Sequence, residues 1–230
     1  MTTASLTQND IRVRNEVRHS LEWDPAVDAS AVGVSAHDGA VTLTGYVDSY
    51  AEKLTAERVA KRVRGVRAVA NDIAVRLKLE RTDSDIAVDV VRALELRSTI
   101  PSGIQAAVHA GQVTLTGKAA WLYQKVDSEK AVRHVRGVRN VINRISVAPR
   151  PVERDIHHRI AEALHRTANV DARRIAVGVD DGTAILTGHA ASWLQRDAAE
   201  RAAASAPGIV QVDNRIVVDP PPLEIAEEIC

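Results

Sequence analysis

The chain has 230 residues, and 30 Lys plus Arg balance 30 Asp plus Glu to give zero net charge. Hydrophobic residues make up 45%, too many for a disordered chain, yet only 3% are aromatic and none is Phe, so any core is built from Val, Ile, Leu and Ala. Balanced charge and scarce aromatics exclude a chain-wide nucleic-acid binder, which needs a basic excess and stacking rings, and a single cysteine, Cys230, excludes an intrachain disulfide framework.

The first ten residues, Met1 to Asp10, carry neither a basic region nor an apolar stretch, so no signal peptide is expected. No run approaches the roughly 18 apolar residues that span a bilayer. The expectation is a soluble, cytoplasmic protein that meets a membrane only peripherally, at the surface of the inner membrane. Cys230 lacks the three following residues of a prenylation box.

An amphipathic helix opens the chain, with Val13, Val17 and Leu21 four apart behind the capping residues Asn9 and Asp10. After Asp24-Pro25 a strand is expected over Val32 to Ser35. Asp38-Gly39 then turns it into a hairpin, because that turn needs positive φ. In the second strand Val41, Leu43 and Gly45 share one face and Thr42 and Thr44 the other. A second helix is predicted from Ser49 to Arg64, with Ala56, Val59, Ala60 and Val63 as its apolar stripe. Gly65 followed by Val66 sits where a Schellman-type cap belongs. A last strand runs from Val69 to Leu77.

The same order returns twice. Ile86, Val90 and Leu94 follow Ser84 and Asp85; then come Pro101-Ser102-Gly103, a strand over Ile104 to Val108, the turn Ala110-Gly111, a helix with Ala131, Val132 and Val135, Gly137, and a strand over Val141 to Val147. Ile156, Ile160 and Leu164 open the third unit. They are followed by Asn169, a strand over Ile175 to Val179, the turn Asp181-Gly182, a helix with Ala199, Ala202, Ala203 and Ala206, Gly208, and a strand over Val210 to Val218. Ile185 departs from the Thr face in this copy.

Three markers hold register. Gly45, Gly117 and Gly188 are each followed 20 residues on by Gly65, Gly137 and Gly208, and six residues after those by Asn71, Asn143 and Asn214. The copies are offset by 72 and 71 residues, which marks duplication of a structural unit. The units span 8–78, 81–148 and 152–219, leaving 220–230 as a Pro-rich acidic tail. Leu79 to Asp83 and the stiff Ala148-Pro149-Arg150-Pro151 join them. The strand-helix-strand crossover makes the last strand parallel to the second. The fold class is therefore α+β: three tandem α-β-β-α-β repeats, each with two helices on one face of a small mixed three-stranded sheet. The pattern leaves strand order open.

Charge is uneven along the repeats. Basic and acidic residues number 11 and 10 over 10–78, 11 and 6 over 81–150, and 8 and 13 over 152–230. The cations gather on and after the second helices: Lys53, Arg58, Lys61, Arg62 and Arg64, then Lys118, Lys125, Lys130, Arg133, Arg136 and Arg139. Such a face can attract anionic lipid at about 1 kcal/mol per residue near the surface. It can equally stay solvated, paired with Glu52, Glu57 and Glu129, or meet the opposite charge on another repeat.

Tyr46, Tyr50, Trp121, Tyr123 and Trp193 cluster at the starts of the second helices, with His189 beside them. They suit interfacial anchors or packing against the next repeat. The candidate membrane- or partner-binding residues are Lys53, Lys61, Arg62, Trp121, Tyr123, Lys125, Lys130, Arg133 and Trp193. Gly39, Gly45, Gly65, Asn71, Gly111, Gly117, Gly137, Asn143, Gly182, Gly188, Gly208 and Asn214 are read as backbone geometry.

No Gly-x-Ser-x-Gly, phosphate-binding glycine loop or usable cysteine nucleophile is present. Gly33-Val34-Ser35-Ala36-His37 lies in an expected strand, and Asp180-Asp181 in a turn. His157, His158 and His165 share a helix without a metal-ligand spacing. No enzyme activity, cofactor or metal is expected.

The repeated strand Gly-x-Val-x-Leu-x-Gly, at Gly39 to Gly45, Gly111 to Gly117 and, with Ala184 for the Val, Gly182 to Gly188, resembles the signature of the BON family. Gly65-Val66 and Val69-Ala70-Asn71, with their equivalents, complete it over residues 10 to 219. The resemblance implies a non-enzymatic, transport-associated bacterial module, shared by osmotic-stress proteins, outer-membrane lipoproteins, secretins and channel-associated proteins. It also implies binding to phospholipid surfaces or envelope proteins. Many family members are exported or anchored, whereas this chain shows neither a signal nor a lipobox. The expected function is a stress-related adaptor. A soluble protein-protein scaffold or chaperone-like stress protein is the alternative, and a small-ligand or ion sensor a weaker one. Partners would be an anionic phospholipid surface or another protein, with self-association open and no nucleic acid.

Overall fold

The computed structural model describes residues 7–76, 81–148, 156–166 and 174–219. The tail, the Pro149-Arg150-Pro151 join, Asn169 and the side chains of His157 and His165 lie outside the described residues.

Repeat one comprises α1 (Gln8–Trp23), β1 (Val32–His37), β2 (Ala40–Val47), α2 (Tyr50–Arg62), β3 (Ala68–Asn71) and β4 (Ala74–Val75). Repeat two comprises α3 (Asp83–Glu95), β5 (Gln105–His109), β6 (Gln112–Thr116), β7 (Lys118–Ala119), α4 (Leu122–Val132), β8 (Asn140–Asn143) and β9 (Ser146–Val147). Repeat three comprises α5 (Ile156–Arg166), β10 (Ile175–Asp180), β11 (Thr183–Ala190), α6 (Trp193–Ala204) and β12 (Gln211–Val218).

The hairpin's return strand is central in every repeat. It pairs antiparallel with the strand before it and parallel with the strand after the second helix. The parallel register is the same each time: Leu43 faces Asn71, Leu115 faces Asn143 and Leu186 faces Asn214. Each hairpin turns through two residues of positive φ, at Asp38-Gly39, Ala110-Gly111 and Asp181-Gly182, the conformation that matches strand twist.

Small aliphatic side chains fill three cores. Val13, Val17 and Leu21 of α1 meet Val41 and Leu43 of β2 and Ala56, Val59 and Ala60 of α2. The other repeats form matching clusters around Leu115 and Leu186. Thr42 is half-buried and Thr44 exposed on the opposite face. Both helices thus cover one face of each sheet.

Three local expectations change. The N-caps are Thr7 and Thr82, not Asn9-Asp10 or Ser84-Asp85. Each Thr hydroxyl accepts from the backbone N–H three residues on, and Asp10 or Asp85 bonds back, completing a capping box. After α2 the chain leaves the helix at Val63, and the Val66 N–H donates to the Val63 carbonyl at 3.3 Å. Gly65 is therefore the third residue of a turn with φ +95°, not a Schellman cap. The last strand is broken in repeats one and two and continuous only in repeat three. Asn71 Oδ1 takes the Ile73 N–H at 3.3 Å, but Asn214 takes the Ile216 N–H in the same way within the unbroken β12, so this bond does not by itself break the strand.

Candidate binding site where the three repeats meet

The second helices are fixed first, each by one asparagine. Asn71 Nδ2 donates to the Lys53 carbonyl at 3.0 Å and to Glu57 Oε2 at 3.2 Å. Asn143 does the same to Lys125 and Glu129, at 2.8 and 3.2 Å, and Asn214 to Arg196 and Glu200, at 3.3 and 2.9 Å. Each clamp ties the last strand to the middle of the second helix through a half-buried amide with both ends bonded. The asparagines serve geometry, as do the motif glycines, all nine of which have positive φ. A side chain on Gly45 or Gly188 would overlap the Ala31 or Arg174 carbonyl oxygen.

Equivalent residues at the starts of the second helices then join the repeats head to tail. Tyr50, with Leu54 and Val75, packs into the core of repeat two. Leu122 packs against the core of repeat three. Trp193 Nε1 donates to the Val66 carbonyl of repeat one at 3.2 Å, and the Lys61 ammonium lies 4.9 Å from its ring centre. One, two, three and back to one, the contacts close a ring. Burial pushes the Tyr50 hydroxyl pKa up, and the nearby Glu129 adds to the shift.

Where the repeats meet, the three second helices line a part-open cavity of about 380 Å³. Arg58, Lys61 and Arg62 line it from repeat one, Arg133 and His134 from repeat two, and Trp193, Asp197 and Arg201 from repeat three. Glu57 is occupied by Lys61 at 2.6 Å and by Asn71, and Glu129 by Asn143. Burial, then the positive charges of Arg133, Arg97 and Arg58, lower the His134 pKa. Burial raises the Asp197 pKa, against the pull of Lys61.

Of the sequence candidates, Lys61, Arg62, Arg133 and Trp193 come together at this cavity. Lys53 and Lys125 are half-buried and lend their carbonyls to the clamps. Lys130 is exposed with Asp127 at 3.5 Å, Tyr123 is exposed, and Trp121 is the half-buried N-cap residue of α4. Tyr46 lies against the Arg76 guanidinium at 4.4 Å. The aromatic cluster is thereby divided: Tyr50 and Trp193 pack between repeats, while Tyr46 and Tyr123 face solvent.

Sequence reasoning missed Arg201, which lies in the acidic repeat, and missed Glu57, Glu129 and Glu200 as clamp partners. Their signal was available, since each stands 14 residues before its asparagine. Among the described residues one trio could meet a metal, Asp10, His37 and Asp38. However, Asp10 is spent on the Thr7 hydroxyl at 2.7 Å and the Gly39 N–H at 3.4 Å.

Comparison with known proteins fits this architecture. The BON domain family matches residues 9–76, 82–149 and 153–220. The chain belongs to the BON domain family. As a triple BON protein it is similar to an uncharacterized protein in the gshII 5′ region of Anaplasma centrale, 32% identical over 123 residues, or 50% of this chain and 80% of that protein. It is also similar to osmotically-inducible protein Y of Escherichia coli K12, 39% identical over 67 residues, or 29% of this chain and 33% of that protein. A solved C-terminal domain of CdsD, a structural protein of the type III secretion system of Chlamydia trachomatis, aligns over 91% of this chain and 98% of its own. It does so at 16% identity and a TM-score of 0.26, too loose a likeness to bear on function. No helix among the described residues of this BON protein is long and apolar enough to cross a membrane.

Proposed function

We propose that this BON protein is a non-enzymatic binding protein of the osmotic-stress type that docks peripherally on anionic phospholipid surfaces. The observation that carries the reading is a set of guanidiniums on the second helices, Arg58, Arg62 and Arg133, without an ion-paired carboxylate among the described residues. Arg58 and Arg62 are exposed. Similarity to an osmotically inducible protein supports the stress association. The family supports binding rather than catalysis.

Vesicle flotation tests this. Binding to phosphatidylglycerol vesicles that fades between low and physiological salt, and that charge reversal at Arg58, Arg62 and Arg133 abolishes, is the expected result. Indifference to lipid charge would sink it. Cell fractionation with a high-salt wash tests peripheral attachment and the compartment together.

A second reading, a scaffold for envelope-associated or other proteins, is favoured by one observation. Tyr50 and Trp193 are used between repeats and are not free to anchor in lipid. A discrete partner in crosslinking, without vesicle binding, would select it.

A further inference from the structure

The part-open cavity where the repeats meet draws cations from three repeats rather than from one face. Arg58 and Arg201 stand at matching positions of repeats one and three, and Arg133 matches Lys61 one turn further along the helix. Among the described residues Arg58 bonds to the Thr55 hydroxyl at 3.3 Å, and Arg133 to the His134 ring at 3.1 Å. Neither they nor Arg201 have a carboxylate within ion-pair distance among the described residues. Of the carboxylates at the cavity, Glu57 is neutralised by Lys61 and Glu129 is turned to the asparagine clamp. Asp197 alone lacks such a partner. The cations are in surplus.

Guanidinium is the cation suited to this geometry. Its planar fork binds phosphate through two parallel hydrogen bonds, and it stays charged when partly desolvated. Three forks on three separate helices offer more donors than one small anion such as chloride can use. They match an anion whose charge is spread over several tetrahedral groups. A cavity of about 380 Å³ lies within the small-molecule range.

We infer that this cavity binds a compact ligand carrying two or more phosphate groups, held by Arg58, Arg133 and Arg201 from the three repeats at once. The inference uses part of the basic cluster invoked for membrane docking but does not depend on docking. Because the three arginines converge only while Trp193 holds repeat three against repeat one, ligand and ring closure favour each other. The acidic third repeat thereby contributes to anion recognition through one residue, Arg201.

The test is calorimetric titration of the full chain with sodium tripolyphosphate, with sodium sulfate at equal ionic strength as control. One tripolyphosphate per chain is expected to bind, and Arg58→Gln, Arg133→Gln and Arg201→Gln each to weaken it by about tenfold. Arg14→Gln and Arg139→Gln, outside the cavity, are expected to leave it within about twofold, the range of general screening. Arg201→Lys keeps the charge and loses the fork, and is expected to fall between. Circular dichroism of each variant separates lost binding from lost fold.

Vesicles bearing a bisphosphorylated inositol headgroup identify the source. Displacement by tripolyphosphate points to a headgroup, and no binding to such vesicles points to a soluble phosphate ester. If phosphatidylglycerol flotation fails while tripolyphosphate binds, the docking reading falls and this one stands. No heat with tripolyphosphate at low salt would overturn it. So would equal weakening by Arg14→Gln and Arg201→Gln, which would mean diffuse charge attraction alone.

Discussion

The interior of each repeat and the contacts between repeats are built on opposite plans. Inside, the residues are the same three times over: Asn71, Asn143 and Asn214 reach Glu57, Glu129 and Glu200 in the same way. Between repeats, one position carries three different side chains, Tyr50, Leu122 and Trp193. A half-buried amide with two donors and an acceptor to satisfy tolerates substitution poorly, because an unpaired partner costs about 1–3 kcal/mol. A junction needs only complementary shape and can be tailored separately to each neighbour. Duplication preserved the unit, while divergence at its edge decided which copies touch.

The contrast can be broken from inside. Gly188→Ala, with φ +116° and the Arg174 carbonyl in the way, should destabilise repeat three by about 3 kcal/mol or more, read by urea denaturation. Asn143→Ala should cost about 2–3 kcal/mol, because it frees the Lys125 carbonyl, Glu129 and the Ile145 N–H together. Asn143→Asp should fare no better, since it sets a carboxylate against Glu129. A mild effect of either would mean that the clamp is incidental.

Removing a junction should look different. Trp193→Ala should leave secondary structure intact by circular dichroism while small-angle scattering reports a larger radius. Losing the Val66 bond and the Lys61 contact should cost about 1–2 kcal/mol. An unchanged radius would show that Leu122 and Tyr50 suffice to hold the ring.

The smallest effect concerns acid. The Thr7 hydroxyl, followed by the Gly39 and Thr7 backbone N–H groups, holds Asp10 below the ordinary carboxylate pKa. Its stabilisation is therefore present above the unfolded value and is lost as pH falls through the lower folded value. Asp83 and Asp85 behave alike, the first through Gly111 and Ala110, the second through Thr82. Asp10→Asn should flatten the acid limb of a melting-temperature profile, and an unaltered slope would reject the assignment.

Much of the repeat was legible because local rules govern it. Four-residue spacing of Val13, Val17 and Leu21 makes a helix, and Asp38-Gly39 makes a hairpin, whatever lies nearby. The parallel pairing of the last strand followed from crossover geometry. Caps were misplaced by a few residues because Ser, Asp and Thr all cap, and only the structure shows which hydroxyl takes the N–H. The break between β3 and β4 was hidden because all three repeats carry the same asparagine bond, yet only repeat three keeps the strand continuous. The cavity was partly legible, as the basic second helices with Lys61, Arg62 and Arg133. Arg201 was invisible because the net negative charge of repeat three masks a single residue whose role comes from its neighbours in space.

The head-to-tail contact also sets how the protein assembles. Contacts of this kind, in which the front of one unit meets the back of the next, extend without limit unless they curve shut. Here the third unit returns to the first through Trp193 and Val66, so both faces that could propagate a filament are consumed within one chain. Only this last contact lacks a short linker between its two repeats. A chain that lets go there offers a front and a back at once, and another open chain is the natural complement to both.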